Sequence, residues 1–218
     1  MKKTTHHKSK KVKKPILLNI GCGVTLFPGF INVDKYFTED QLRKGAQTRQ
    51  GLCANAKFPP TAKFVRGDIL HLPFKDKYAD YVECLEMLEH LPFRDVEKAI
   101  VELHRVLKPG GELVLMVPDL DDMCRVWLDR VTDKVFNHNT FFGFVQHFYG
   151  NQLHKGEHHQ SAFTQTYLRG VLNACGFPME KIEITPYPHG EHPPKFRGAQ
   201  WDLRDIFVIG MIHARATK

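Results

Sequence analysis

The sequence predicts an α/β protein: a doubly wound, seven-stranded, mostly parallel sheet. Three observations point to the α/β class. Ile16-Leu17-Leu18-Asn19-Ile20 reads as a buried strand, and it breaks at Gly21-Cys22-Gly23, a turn where backbone can come close to a ligand. A second short apolar run, Phe30 to Val33, ends on an acid, Asp34. Further on, helical and strand patterns alternate, which implies a parallel sheet with helices on both faces.

The elements follow in order. Thr38 can cap a short helix over 38–43, with Gly45, Gly51 and Pro59-Pro60 marking loops around it. Ala62 to Arg66 is a short strand that stops at Gly67-Asp68. Tyr78 to Leu85 is a fourth strand, and Glu86 to His90 opens a helix that Pro92 interrupts. Asp95 to Leu107 is the best helix, because Val96, Ala99, Ile100, Leu103 and Leu107 recur at three- and four-residue spacing. Pro109-Gly110-Gly111 ends it. Leu113 to Val117 is apolar throughout, as a strand buried on both faces should be. Asp119 to Arg130 reads as helix, and Gln165 to Ala174 as a helix stopping at Gly176. Met179 to Thr185 reads as strand, Pro186 to Pro194 with its four prolines as loop, and Asp205 to Ile212 as the final strand. Residues 136–164 are rich in aromatics, histidine and amides, with weak periodicity.

The 218 residues suffice for one domain with a full core. The net charge of +7 has a local origin: Lys2, Lys3, Lys8, Lys10, Lys11, Lys13 and Lys14 lie in a stretch without acids. Setting those seven aside leaves 24 basic against 24 acidic residues, so the body is neutral. Residues 1–14 are expected to be a disordered basic tail able to attract polyanions, nucleic acid among them. No apolar run approaches the roughly 18 residues of a membrane span, and the N-terminus lacks an apolar signal core. Five cysteines without Cys-x-x-Cys spacing are expected to be reduced thiols in a cytoplasmic setting. Nothing in the sequence fixes an oligomeric state.

The glycine turn is not a dinucleotide fingerprint. Leu26 stands where its last glycine belongs, and Asp34 follows Gly21 by thirteen residues instead of roughly 20, which excludes a nicotinamide oxidoreductase. Other segments set the reading. Leu18-Asn19-Ile20-Gly21-Cys22-Gly23, Asp34, Arg66-Gly67-Asp68-Ile69, Asp80-Tyr81-Val82-Glu83-Cys84 with Leu88-Glu89-His90, and Leu103 to Gly111 occur in one order over about residues 16–120. In that order they resemble the class I S-adenosylmethionine-dependent methyltransferases, in particular a subgroup with a shortened first helix and a Gly-Cys-Gly…Pro-Gly-Phe-Ile-Asn-Val-Asp text.

The resemblance implies a Rossmann-like methyltransferase fold over 15–218, strand order 3-2-1-4-5-7-6 with the last strand antiparallel, and acceptor-side insertions at 136–164 and 186–200. It implies S-adenosyl-L-methionine as cofactor, held by Asn19, Gly21, Cys22, Gly23, Asp34, Asp68, Ile69, Cys84 and Leu85. Asp34 would take the ribose, and Asp68, beside the Ile69 backbone, the adenine. An ionised carboxylate only accepts hydrogen bonds, so Asp34 suits both ribose hydroxyls.

Catalytic candidates are His159, then His158, from the 136–164 segment, and Asp119 after the fifth strand. His159 is the base or the acceptor-orienting group. Asp119 is equally a helix N-cap. His154, Glu157, His158 and His159 are close in sequence but lack His-Glu-x-x-His spacing, so no metal is expected. The expected acceptor is a small molecule or a glycan-type group, methylated at oxygen. An RNA acceptor recruited by residues 2–14 and a non-catalytic cofactor-binding protein are the rival readings.

Overall fold

The computed structural model describes residues 14–43, 59, 61–132, 145–150, 152, 156–187 and 210–218. The elements are β1 (Leu17–Ile20), β2 (Ile31–Asp34), α1 (Glu39–Arg43), β3 (Lys63–Arg66), β4 (Ala79–Leu85), α2 (Phe93–Val106), β5 (Leu107–Pro118), α3 (Leu120–Thr132), α4 (Gln165–Ala174), β6 (Ile182–Tyr187) and β7 (Met211–Thr217). They form one seven-stranded sheet in the order β3-β2-β1-β4-β5-β7-β6. β7 runs antiparallel to both β5 and β6, and the remaining pairs are parallel.

The predicted strand order is the observed one. Strand order reverses between β1 and β4, which opens a crevice at their carboxyl ends. The connection from β1 to β2 carries no helix, and ten residues make the parallel crossover. Two buried amides replace the missing packing. Asn32 Oδ1 accepts from Asn19 Nδ2 at 2.9 Å and from the Phe27 N–H at 2.8 Å, and Asn32 Nδ2 donates to the Lys63 carbonyl at 3.1 Å.

The core lies between the sheet and the helices α2 and α4. Val96, Ala99, Ile100, Leu103 and Val106 of α2 are fully buried, as the helical spacing predicts. Each large aliphatic side chain so buried stabilises the fold by about 1.5–3 kcal/mol, and Leu103→Ala would cost about 2–5 kcal/mol. Thr164 caps α4, its hydroxyl accepting from the Tyr167 N–H at 3.2 Å.

Several boundaries differ from expectation. α2 begins at Phe93, directly after Pro92, and the segment before it is only a 3₁₀ turn over Leu88–His90. The chain is already extended at Leu107, because Lys108 precedes a proline and is steered out of the α region. Met179–Lys181 is a 3₁₀ turn, and β6 runs on through Pro186 to Tyr187, which an edge strand tolerates. Among the described residues the final strand is Met211–Thr217, which runs five residues beyond the expected end at Ile212, and 205–209 lie outside the described residues. The strongly apolar 206–212 run drew the sequence reading, whereas the strand buries His213, Ala214 and Ala216.

The basic tail up to residue 13, His138, His154 and residues 188–209 lie outside the described residues. So, therefore, does nearly all of the expected 186–200 insertion. Of 136–164, residues 145–149 are helical, and the stretch ends where Phe163 bridges Asp119. Among the described residues no helix is long and apolar enough to cross a membrane.

Candidate active site

A cavity of about 870 Å³ runs along the carboxyl edge of β3, β2, β1 and β4. That size falls within the roughly 300–1,000 Å³ of small-molecule sites. Residues from every strand end and from 146–160 line it.

The loop after β1 is shaped by two left-handed glycines, Gly21 at φ 71° and Gly23 at φ 51°. A Cβ on Gly21 would collide with the Met87 side chain, whereas one on Gly23 would meet open space. The loop amides turn inward: the N–H groups of Gly21 and Cys22 both donate to the Val33 carbonyl, at 2.9 and 3.0 Å. The Gly23 N–H donates to Asp34 Oδ2 at 2.9 Å. Asp34 Oδ1 accepts from the N–H groups of Tyr36 at 2.7 Å and Phe37 at 3.3 Å. Three of the roughly four lone-pair sites of this carboxylate are thus spent on backbone. About one is left for a ligand hydroxyl, fewer than the two the sequence reading assigned it.

Asp68 closes the β3 end. Burial raises its pKa, but an ion pair with Lys35 at 2.7 Å and the Leu70 N–H at 3.1 Å outweigh burial and leave it below the ordinary value. Ile69 lies beside it on the cavity wall.

Four of the nine expected cofactor residues sit behind the wall. Asn19 spends its amide on Thr25 and Asn32. Cys22 is buried with its thiol toward the Gly23 carbonyl; burial first, then the Asp34 charge, push that thiol far up, so it is no nucleophile. Cys84 is fully buried in the core, and Leu85 packs on the opposite face of the sheet against the cluster of Phe27, Phe30 and Tyr81. The chain leaves the sheet after Leu85, where the sequence reading ended the strand, and turns at Glu86, whose φ is 50°.

The turn that follows supplies groups the sequence reading passed over: Glu86, Met87, Glu89 and His90 all line the cavity. Glu89 is 2% exposed, and its Oε2 has no hydrogen-bond partner among the described residues. Burial raises the Glu86 carboxyl to about 7, and burial together with Glu86 holds Glu89 well above the carboxylate range. Two acids spaced Glu-x-x-Glu directly after a buried strand were the available signal.

Of the three catalytic candidates, only His159 reaches the cavity. Its Nδ1 donates to the His147 carbonyl at 2.7 Å, and its ring meets His90 edge to face at 4.8 Å. Burial lowers its proton affinity, so the ring is neutral near pH 7. His158 is exposed and presents its carbonyl to His90 Nδ1 at 3.4 Å. Asp119 is buried away from the cavity, its Oδ1 accepting from the Asp121 N–H at 3.0 Å at the start of α3. It is the cap of α3.

Residues 146–150 and 156–161 are folded onto the strand ends. The Gln160 and Ser161 N–H groups donate to the Glu89 carbonyl, at 2.7 and 3.1 Å. The amide of Gln160 donates to the His90 carbonyl at 2.8 Å, and the Ser161 hydroxyl to that of Leu91 at 2.6 Å. Gly156 lies so close over the Tyr36 ring that a Cβ there would come within 2.5 Å of it.

These residues fit an adenosyl sulfonium. The open Gly23, the spare lone pair of Asp34 and the polar pair Asp68–Lys35 lie in sequence along one wall, and acids outnumber bases along it.

Residues 18–115 match the methyltransferase domain family. An uncharacterized protein of Methanocaldococcus jannaschii is 30% identical over 137 residues, covering 60% of this chain and 49% of that protein. The demethylmenaquinone methyltransferase of Staphylococcus epidermidis is 30% identical over 152 residues, 65% of this chain and 55% of that protein. The chain thus spans about half the length of these curated relatives. In fold it is similar to a SAM-dependent methyltransferase from Methanosarcina mazei, with a TM-score of 0.57 at 19% identity over 94% of this chain and 92% of that one. The match over residues 18–115 and the shared architecture show that the chain has the fold of the class I methyltransferases, whose cofactor is S-adenosylmethionine.

Proposed function

We propose that the protein transfers a methyl group from S-adenosylmethionine to an oxygen of a small-molecule or glycan-type acceptor. The observation that carries this is the cavity wall. Among the described residues it holds six carboxyl side chains, Asp34, Asp68, Glu86, Glu89, Asp95 and Glu157, against one lysine, Lys35, and acids still outnumber that lysine with Glu86 and Glu89, whose proton affinity burial raises, set aside. Such a wall suits a cationic cofactor and hydroxyl groups that donate hydrogen bonds. It repels phosphates, and with them a nucleic-acid backbone.

When bound, S-adenosylmethionine supplies a methyl group on a sulfonium whose leaving group is a neutral thioether. The protein's own residues bind, orient and handle the proton. Asp34 accepts a ribose hydroxyl with its remaining lone pair, and Asp68 with the Ile69 backbone holds the adenine side. Segment 146–160 covers the cavity and brings His159 against the 88–90 turn. A carbonyl can only accept, so His159 Nδ1 carries the proton and Nε2 the lone pair. A neutral imidazole in that state either accepts the acceptor's proton or orients its oxygen. Orientation supplies up to about 7–11 kcal/mol of barrier lowering, and a general base about 10²–10⁴-fold.

The test is methyl-label transfer into separated neutral hydroxylated compounds, amines, protein and RNA. Label is expected in the neutral hydroxylated fraction. His159→Ala is expected to slow transfer about 10²–10⁴-fold without changing cofactor affinity. Label in RNA, or unchanged turnover by His159→Ala, would overturn the reading.

A further inference from the structure

We propose that Glu89, His90 and His159 form a binding site for a first-row divalent transition ion at the acceptor side of the cavity. One donor atom from each lies within 4.8 Å of the other two. Bonds of 2.0–2.2 Å in a tetrahedral shell set ligand atoms roughly 3.4 Å apart, so modest rotations of three side chains close the set.

Two further features mark these residues as ligands. Both imidazoles are oriented the same way, each with Nδ1 on a backbone carbonyl: His159 on His147 at 2.7 Å and His90 on His158 at 3.4 Å. Each Nδ1 is therefore the protonated nitrogen, and each Nε2 holds the lone pair. A backbone carbonyl on the remote ring N–H is the usual support of a metal-ligating histidine. The third group is the carboxyl of Glu89, 2% exposed, with an oxygen lacking any hydrogen-bond partner among the described residues; an ion bound there would take the place of its proton. A buried polar atom left in that state calls for a partner, and a cation is one.

Sequence spacing could not reveal this set. The group it weighed and set aside was His154, Glu157, His158 and His159; among the described ones only His159 belongs, because the other two donors lie about 70 residues away in the turn after β4. Two imidazoles and one carboxylate suit zinc and its d-block neighbours better than magnesium or calcium, which prefer all-oxygen shells. Three protein ligands leave a position open for an exogenous oxygen. Taken with the methyl-transfer reading, on which this last point alone rests, the ion would hold the acceptor oxygen. His159 then orients the acceptor through the ion and is not the base.

The experiment is a Co²⁺ titration of the full-length chain, treated with chelator and carrying His6→Ala and His7→Ala to remove the tail's histidine pair. Visible d–d absorption saturating at one ion per chain, and bleached by Zn²⁺, is expected. Glu89→Gln, His90→Ala and His159→Ala should each weaken binding about 10–100-fold or more. Thermal melts without metal show which variants stay folded, and the two half-buried histidines are safer to replace than the buried Glu89. Absent absorption, or equal affinity in the folded variants, would overturn the site. Calorimetry with S-adenosylhomocysteine on the same samples keeps the two ideas apart. Cofactor binding without cobalt binding sinks only the metal site, and cobalt binding without cofactor binding sinks only the methyl-transfer reading.

Discussion

Asp34→Asn tests the claim that this carboxylate is a structural tie as well as a ligand. The substitution keeps the shape and removes the charge. An amide offers one accepting oxygen. If that oxygen stays with Tyr36 and Phe37, an NH₂ faces the Gly23 N–H across 2.9 Å, donor against donor. The reverse rotamer loses the 2.7 Å bond to Tyr36 and the weaker one to Phe37. Either way at least one charge-assisted bond is lost, worth about 1.5–3 kcal/mol, and the remaining one weakens. Asp34 is 8% exposed, so water relieves little of this from behind, though the cavity side softens it. We expect about 2–3 kcal/mol of lost stability in the ligand-free protein, or a fall of about 4–12 °C in Tm for a chain of this size. Affinity for S-adenosylhomocysteine should fall by a further 10–150-fold, the equivalent of one charged hydrogen bond. Denaturation without ligand and calorimetry with it read the two effects separately. A ligand-free protein as stable as wild type would refute the tie and return Asp34 to the role of a pure ribose ligand.

The glycine loop gives a paired contrast. Gly21→Ala, which drives a methyl into Met87, should weaken S-adenosylhomocysteine binding at least tenfold, whereas Gly23→Ala, open to space, should cost only the strain of its positive φ, about 1 kcal/mol of stability. His213, buried in β7, has its pKa pushed down to about 4, first by burial and then by Arg215. The unfolded chain therefore binds a proton that the folded one does not. Stability should be full above pH 6.5 and fall by about 3 kcal/mol as pH drops to 4, and His213→Gln should flatten that slope in urea titrations. Gly150→Ala would strike the Glu157 carbonyl and shift 157–159. It should abolish methyl transfer while leaving S-adenosylhomocysteine affinity within about twofold, as calorimetry would read.

The sequence was most informative where one physical rule acted alone. The apolar spacing of α2 and the uniformly apolar second half of β5 left little choice of structure. It misled where small or polar residues fill buried positions, as Ala214, Ala216 and His213 do in β7. At the site, residues defined by backbone demands were legible: Gly21, Gly23, Asp34 and Asp68 all lie on the cavity. Cys84 and Leu85, placed at the expected end of β4, were not, because packing on the two faces of the sheet takes both side chains although the strand ends where expected. The Glu89–His90–His159 group was illegible for another reason: its members meet only through hydrogen bonds between 146–161 and the 88–91 backbone, contacts with no periodic trace.

The two halves of the cavity are held by different means, and this bears on how the protein divides its work. The cofactor half is fixed by the sheet: Asn19 and Asn32 brace the helix-free crossover, and Asp34 ties its loop to β2. The acceptor half is fixed by carbonyls of the 88–91 turn that receive Gln160 and Ser161. The two meet at Glu86 and Met87, one strand from the glycine loop, because β4 lies next to β1 at the point where strand order reverses. Met87 fills the space a side chain at position 21 would need, so the cofactor loop and the acceptor turn share a wall. A fold that separates the halves this way can exchange the 146–160 segment, and with it the acceptor, without disturbing the adenosyl end. Its limit is that shared wall: any change that moves Met87 alters both at once.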